Sequence, residues 1–574
     1  MRQICDPRQT RLFDPFQGVL SEMARRRILS GWQGVFRAVV LKLLPVKALG
    51  EHFSESMGCP TKELYSMAGL VFLADFFSWN AVDAADAYMM RTDVQFALNI
   101  EPGAECSDRT VERYRKLFTE DDLASKVFTE LTVTLAELLE LDITQQRLDS
   151  THVFSHMATF GRVKLMGVAL KRCLTQVKRH APADYAALPE ELRARYAPSE
   201  GKLFSEAKDA DARARSKQQV AEDMHFIIER FADHAEIHHR SSYTALVQIF
   251  QQQCAVIEGR VVVIAKTGGD VIQNPSDLDA TYDGHKGQGY QIQLSETCSE
   301  NNDVQLIVGA IPQTASANDS DAVRPMLEQL AANDLLPCEM PADTAYGSDE
   351  NVVFAESLGV EFIAPVPGRA PQLDPQALTL DDFAHHEVTG TVEACPASHA
   401  PLLVTRDAET HTTVVEMSAA QCGSCPLLKL CPIKKRSDGR YELKFTDQAR
   451  RLAARRAEEQ TDVFRERYAK RSGIESTNSG LKNRLGLGWL NVRGKGAVFR
   501  TLLLKVSGWN VLRAATSAKL RAVIRTAIAK LLGTGWSWPF GQAPQAAPAL
   551  IPALWNHNHR PRTASPSPPP SLPA

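Results

Sequence analysis

Three features of this 574-residue sequence predict an α/β fold, a mixed sheet flanked by helices. Tyr290, Ile292 and Leu294 alternate with Gln291, Gln293 and Ser295, the period of a strand with one apolar face. Short apolar runs, VQLIVGAIP from 304 and VEFIAPV from 360, interleave with helical stretches such as AVRPMLEQLAAN. Long segments on either side space apolar residues by three and four, the helical period.

Taken in order, residues 1–140 read as a helical N-terminal domain for DNA binding or assembly. TKELYSMAGLVFLADFFSWNAVDAADAYMM is its most regular stretch, and Ser107 or Asp108 caps a basic helix after it. Plain packing accounts for the same pattern equally well. Residues 141–366 hold the sheet, which opens with a short strand at 143–149 and is interrupted by a charged helical insertion at 156–256. Asp283-Gly284, Gly287 and Gly289 mark turns before the alternating strand. A strand at 304–310, a helix at 348–358 and a strand at 360–366 follow. Residues 367–445 form a loop-rich insertion with a cysteine cluster. Residues 446–533 start with a long basic helix and stay helical. Residues 534–574, rich in Pro and Ala and ending SPSPPPSLPA, are expected to be disordered, because such a sequence lacks the side chains to build a core.

Composition narrows the function. With 44% hydrophobic and 23% charged residues, the chain is globular rather than disordered overall. No apolar run reaches membrane-spanning length and the N-terminus carries no signal-peptide core, so a cytoplasmic protein with no membrane partner is expected. Eleven cysteines spread over a long chain do not read as a disulfide scaffold. The net charge of −3 conceals an asymmetry: residues 432–530 hold 24 Lys and Arg against 8 Asp and Glu. A block that basic attracts polyanions, although a solvated helical surface has the same composition.

Chemistry concentrates in YAKRSGIESTNSGLK, 468–482. At 100° per residue on one continuous helix, Tyr468, Arg471, Glu475 and Lys482 share an arc about 60° wide and about 21 Å long. A carboxylate among cations on one face suits a metal ion beside a phosphate backbone; a surface salt-bridge ladder has the same pattern. Gly473 and Gly480 weaken such a helix by about 1 kcal/mol each relative to Ala, so tertiary support or close approach to DNA is needed. A second constellation is Cys395 followed by Cys422, Cys425 and Cys431, with His399 nearby. Four thiolates including a CxxC knuckle suit a structural Zn²⁺. Incidental thiols and an iron–sulfur cluster are the alternatives. His152 and His156 permit a metal pair only if they share a helix, and no HExxH, phosphate loop or Ser/His/Asp hydrolase signature is present.

Tyr-x2-Arg-x3-Glu-x6-Lys is, at all four positions, the YREK signature, and the sequence resembles the bacterial insertion-sequence DDE transposases that bear it. RLDST around Asp149 resembles their segment with the first catalytic Asp, and ADTAYGSDENV around Asp343 the segment with the second. DATYDGHKGQGYQ and GLGWLNVRGKGAVFRTLLLKVSGWNVLRA are similar to the same group, and the resemblance spans residues 50–515. It implies a ribonuclease H-like catalytic core that nicks the ends of its element and joins the 3′-hydroxyl to target DNA. Asp149, Asp343 and Glu475 would hold two Mg²⁺ or Mn²⁺ ions, which clamp the attacking and leaving oxygens. Tyr468, Arg471 and Lys482 would contact DNA near the element's terminal repeat. Acting on two ends together implies a homodimer, and a bacterial, nucleoid-associated protein. Asp142 competes weakly with Asp149, Asp349 and Glu350 with Asp343, and Glu466 with Glu475. Pro337 and Pro341 predict that the strand before Asp343 is short, broken or at an edge. The rival functions are an inactive relative that only binds DNA, and a ribonuclease H-like nuclease that cuts without joining.

Overall fold

The computed structural model describes residues 1–9, 15–16, 18–157, 160–204, 210–368, 376–386 and 389–531, with side chains through 524. The Pro-rich segment 534–574 lies outside them. Eight strands build and border the central region: β1 (Gln146–Val153), β2 (Cys254–Ile257), β3 (Arg260–Val263), β4 (Thr281–Asp283), β5 (Gly287–Thr297), β6 (Ile307–Thr314), β7 (Glu339–Pro341) and β8 (Glu361–Ile363).

The strand β5 is the spine of the sheet. It pairs antiparallel with β1, Asp149 opposite Leu294, and antiparallel with β6, while β4 extends its start. On the far side of β1, parallel bridges join Gln145 to Glu339 and Leu148 to Ala342, and β7 runs parallel to β8. The spatial order is therefore β6-β5-β1-β7-β8. The strand β7 is short, as Pro337 before it and Pro341 at its end predict, but it lies between two partners rather than at an edge. Pro341 has no N–H to give, and Ala342 after it donates to Ile363 O at 3.0 Å.

Two packed regions cover the faces of this sheet. Tyr290, Ile292 and Leu294 bury against the helices Leu64–Phe76, Leu123–Leu139 and Lys495–Ala514. The N-terminal helices thus share one core with the sheet. A buried ion pair, Arg500 Nε to Asp75 Oδ2 at 2.7 Å, pins two of these helices together. Ser107 is the N-cap of Asp108–Glu120, accepting from Thr110 N. On the opposite face, the helix Val323–Ala332 packs over β6 and the helix Asp349–Ser357 over β8, in one core shared with β7. The polar residues of β5 are buried there too, in a network: Gln293 Nε2 donates to Asp319 Oδ1 at 2.8 Å, and Ser295 Oγ to Gln146 Oε1 at 2.8 Å.

The helical insertion forms Arg162–His180, Ala210–Arg230 and Ser241–Gln253 around its own core and closes with the β2–β3 hairpin. The cysteine-containing insertion is more regular than its loop-like composition predicts. It holds a sheet whose central strands, Thr412–Met417 and Tyr441–Thr446, alternate buried and open residues. After it, the expected long basic helix is divided into Asp447–Glu458, Asp462–Ala469, a single 3-10 turn at Lys470–Ser472, and Gly473–Leu485. Tyr468 therefore sits on a different helix from Glu475 and Lys482, which breaks the single arc that an uninterrupted helix requires.

Candidate active site

The bridge between Leu148 and Ala342 sets Asp149 and Asp343 side by side, one residue further along two parallel strands. Asp149 projects from the middle of β1, half-buried. Asp343 follows β7 and caps the one-turn helix Thr344–Tyr346, accepting from Thr344 N at 2.7 Å. Glu475 occupies the first turn of Gly473–Leu485, where a helix dipole favours a negative charge. That helix is clamped onto the sheet from below. The Arg147 guanidinium binds the buried Glu296 at 2.6 Å and also donates to Lys470 O, while Thr477 Oγ1 donates to Glu296 at 2.5 Å.

All three carboxylates face one cation. The Arg471 guanidinium is 3.3 Å from Asp343 Oδ2, 4.0 Å from Asp149 Oδ1 and 3.5 Å from Glu475 Oε1. It is only 18% exposed, against 45% for Asp343 and 67% for Glu475. Burial works against its charge, but Asp343 first and Asp149 next outweigh that and hold its pKa above the ordinary value. Burial raises the Asp149 pKa, with Arg471 and the Ser150 N–H pulling the other way. The residue expected to contact DNA thus lies among the acids.

Among the described residues, no three His, Cys, Asp or Glu side chains are gathered closely enough to hold a metal ion as they stand. The chemistry of the donor set nevertheless suits a hard cation: three carboxylates from three separate elements share one positive group, the Arg471 guanidinium. Oxygen-only donors match Mg²⁺ or Mn²⁺.

Other cations border the acids. Lys482, two turns after Glu475, is exposed on the helix, and partial desolvation of its ammonium lowers its pKa, with Asp149 opposing. Tyr468 stacks on Phe464, ring centroids 5.7 Å apart, and burial raises its pKa. Lys286, in the turn before β5, donates to Ser150 Oγ and Asp319 Oδ2, each at 3.2 Å. Sequence reasoning missed Lys286, Asp319 and Asn478. Asn478 was within reach, since three residues after Glu475 is the same helical face.

The competitors have other employment. Asp142 accepts from Thr144, Ser299 and Asn301, which hold its pKa far below the usual carboxylate range. Asp349 is forked by Arg451 at 2.6 and 3.1 Å. Glu350 and Glu466 are exposed on helix surfaces. His152 lies in β1, not on a helix, and binds Gln288 O at 3.2 Å, so the spacing to His156 makes no metal pair.

Much of the basic block is neutralised internally, through Arg451 with Asp349, Arg467 with Glu361 and Arg500 with Asp75. Arg484, Arg493 and Lys495 remain exposed on or just after the Glu475 helix. They flank Trp489, itself exposed and stacked on Phe154 at 5.2 Å.

Cys395, Cys422, Cys425 and Cys431 are free thiols, and Cys395, Cys422 and Cys431 pack into one small core. His399 N donates to Cys395 Sγ at 3.4 Å, and the 422–425 turn closes through Cys425 N to Cys422 O. Burial raises the Cys422 pKa, and Cys395, Cys431 and Cys425 raise it further, as neighbouring thiolates would.

No helix among the described residues is long and apolar enough to cross a membrane. Residues 394–515 match a family described as a transposase DDE domain, a stretch holding Glu475 and the cysteines but neither Asp149 nor Asp343. No curated protein matches. Among solved structures, a cryo-EM structure of a piggyBac transposase synaptic complex with hairpin DNA aligns over 90% of this chain and 82% of that one, at 9% identity. Its TM-score of 0.28 is too low to carry an argument.

Proposed function

We propose that the protein is a DDE transposase of the YREK-bearing group, which cuts the ends of its element and joins them to target DNA. The observation that carries this reading is the convergence of Asp149, Asp343 and Glu475 on one cation position. The transposase DDE match at 394–515 supports it independently. The strand order β6-β5-β1-β7-β8, three antiparallel strands followed by two parallel to β1, supports a ribonuclease H-like core.

Asp149, Asp343 and Glu475 would hold the divalent ions, two Mg²⁺ or Mn²⁺. When bound, these would neutralise charge on the five-coordinate phosphorus and lower the pKa of an attacking water. The chain's own groups would do the rest. Arg471, released from the acids, presents a planar fork to phosphate oxygens, and Lys482 and Lys286 add point charges. Tyr468 offers a hydroxyl at the same edge. Arg484, Arg493 and Lys495 extend the cationic surface along double-stranded DNA, and Trp489 offers a stacking face. Joining two ends together calls for a homodimer. Cys395, Cys422, Cys425 and Cys431 are assigned to one structural zinc ion that would hold the insertion together without joining catalysis.

Arg471 seated among the carboxylates favours a second reading, a relative that binds DNA without cutting. The deciding experiment is Mg²⁺-dependent cleavage and strand transfer on DNA carrying the element's flanking ends, with Asp149→Asn and Glu475→Gln alongside. Cleavage and joining by the wild type, abolished in both variants while DNA binding persists, is the expected result. Binding without cleavage by the wild type selects the second reading, and cleavage without joining indicates a nuclease.

A further inference from the structure

Asp149 is the most buried of the three acids, and its carboxylate is held from the side opposite Arg471 by a neutral group. Asn478 Nδ2 donates to Asp149 Oδ2 at 3.0 Å, while Asp149 Oδ1 is the oxygen that faces Arg471. The amide orientation is dictated by chemistry, because an ionised carboxylate only accepts and the –NH₂ must point to it. Asn478 is itself buried, on the Glu475 helix and three residues beyond Glu475. Its Oδ1 has no hydrogen-bond partner among the described residues. Gln291, Gln293, Ser295 and Glu296 on the neighbouring strand are satisfied, whereas the unpaired atoms gather at the site itself: Asn478 Oδ1, Arg471 Nε and, on β1, Thr151 Oγ1 and His152 Nδ1.

We infer that Asn478 is a positioning residue of the carboxylate site, an inference that rests on the function proposed above. It locks the Asp149 carboxylate so that Oδ1 is presented to the cation position, and its own unpaired Oδ1 accepts from a water carried in with the ion. A neutral donor suits this task better than a cation. Lys or Arg at 478 would compete with the incoming ion for Asp149, whereas an amide orients the carboxylate without neutralising it. Because Asn478 and Glu475 share a helix, the same contact also sets the distance between the acid on that helix and the acid on β1.

The test compares full-length wild type, Asn478→Ala and Asp149→Asn, using Mn²⁺ as the probe. Mn²⁺ affinity is read by electron paramagnetic resonance titration, and cleavage of end-bearing DNA by kcat, KM and the Mn²⁺ concentration for half-maximal rate. Asn478→Ala is expected to weaken Mn²⁺ about tenfold, in the range seen when an outer partner of a metal ligand is removed. The Mn²⁺ needed for half-maximal rate should rise in parallel, with DNA affinity and KM unchanged and kcat partly recovered at high Mn²⁺. Wild-type Mn²⁺ affinity and activation in a folded Asn478→Ala would overturn the inference while leaving the proposed function intact. Absence of Mn²⁺ binding by wild type, or unchanged binding in Asp149→Asn, would overturn both. Should Asn478→Ala fail to fold, Asn478→Ser carries the same comparison; failure of both to fold assigns Asn478 a structural role and rejects the inference.

Discussion

Gly480 lies against the face of Trp509: a β-carbon built on it would stand 2.3 Å from the indole ring. The Glu475 helix can approach the buried Lys495–Ala514 helix this closely only because position 480 has no side chain. The helix-weakening glycine is thus compensated by packing rather than by DNA.

Gly480→Ala is therefore expected to destabilise the protein by about 1–3 kcal/mol, the usual range for overpacking, despite the better helix propensity of Ala. Urea unfolding checks this. A neutral or stabilising result would mean that Trp509 moves aside freely.

On the proposed function, Arg471 and a divalent ion would compete for the same carboxylates. Arg471→Ala removes the one cation that Asp149, Asp343 and Glu475 share, so the metal-free protein should melt lower than wild type. The same Mg²⁺ concentration should then raise its Tm by more, because binding to the folded state is stabilising by mass action. Equal Tm shifts in the two proteins would show that Arg471 does not occupy the ion's place.

Lys505 is 1% exposed and donates to Ser78 Oγ, Phe76 O and Leu485 O, the last at the end of the Glu475 helix. Burial pushes its pKa down to about 8. An unfolded lysine titrates near 10.4. Between these values the unfolded chain binds more protons than the folded one, so this residue makes stability rise with pH across that window, by at most about 1.4 kcal/mol per unit. Buried thiols such as Cys106 and Cys298, pushed up to about 11 by burial, act in the opposite sense. Comparison with Lys505→Met removes their contribution. The stability of wild type relative to the variant should increase from pH 8 to pH 10, and a flat difference would contradict the shift.

If the four insertion cysteines hold zinc, the purified protein should release about one Zn²⁺ per chain when its thiols are blocked with a mercurial, as counted by a colorimetric chelator. Cys425→Ser should lower that yield and make the 403–446 sheet sensitive to proteolysis. Metal-free protein with an intact insertion would make these ordinary thiols.

What the residues determined alone is local. The alternation at 290–295, the Ser107 cap, the order of the RLDST, ADTAYGSDENV and YREK segments, and the cysteine spacing all act over a few residues, where backbone period and motif suffice. The 3-10 turn that moves Tyr468 onto its own helix is also local, but the helical period of the stretch hid it. Other features required the chain to come together. The polar face of β5 became a buried network because Asp319, Tyr346 and Gln146, all remote in sequence, close over it. Pro341 of β7 ended up between strands because β1 and β8 flank it. Arg451, Arg467 and Arg500 were withdrawn from the cationic surface by acids 102, 106 and 425 positions away. Arg471 and Asn478 acquired their roles in the same way. Their partner Asp149 is some 320 residues distant, and side chains that remote interact only once the sheet and the Glu475 helix are packed, since electrostatic and hydrogen-bond forces act through space rather than along the chain.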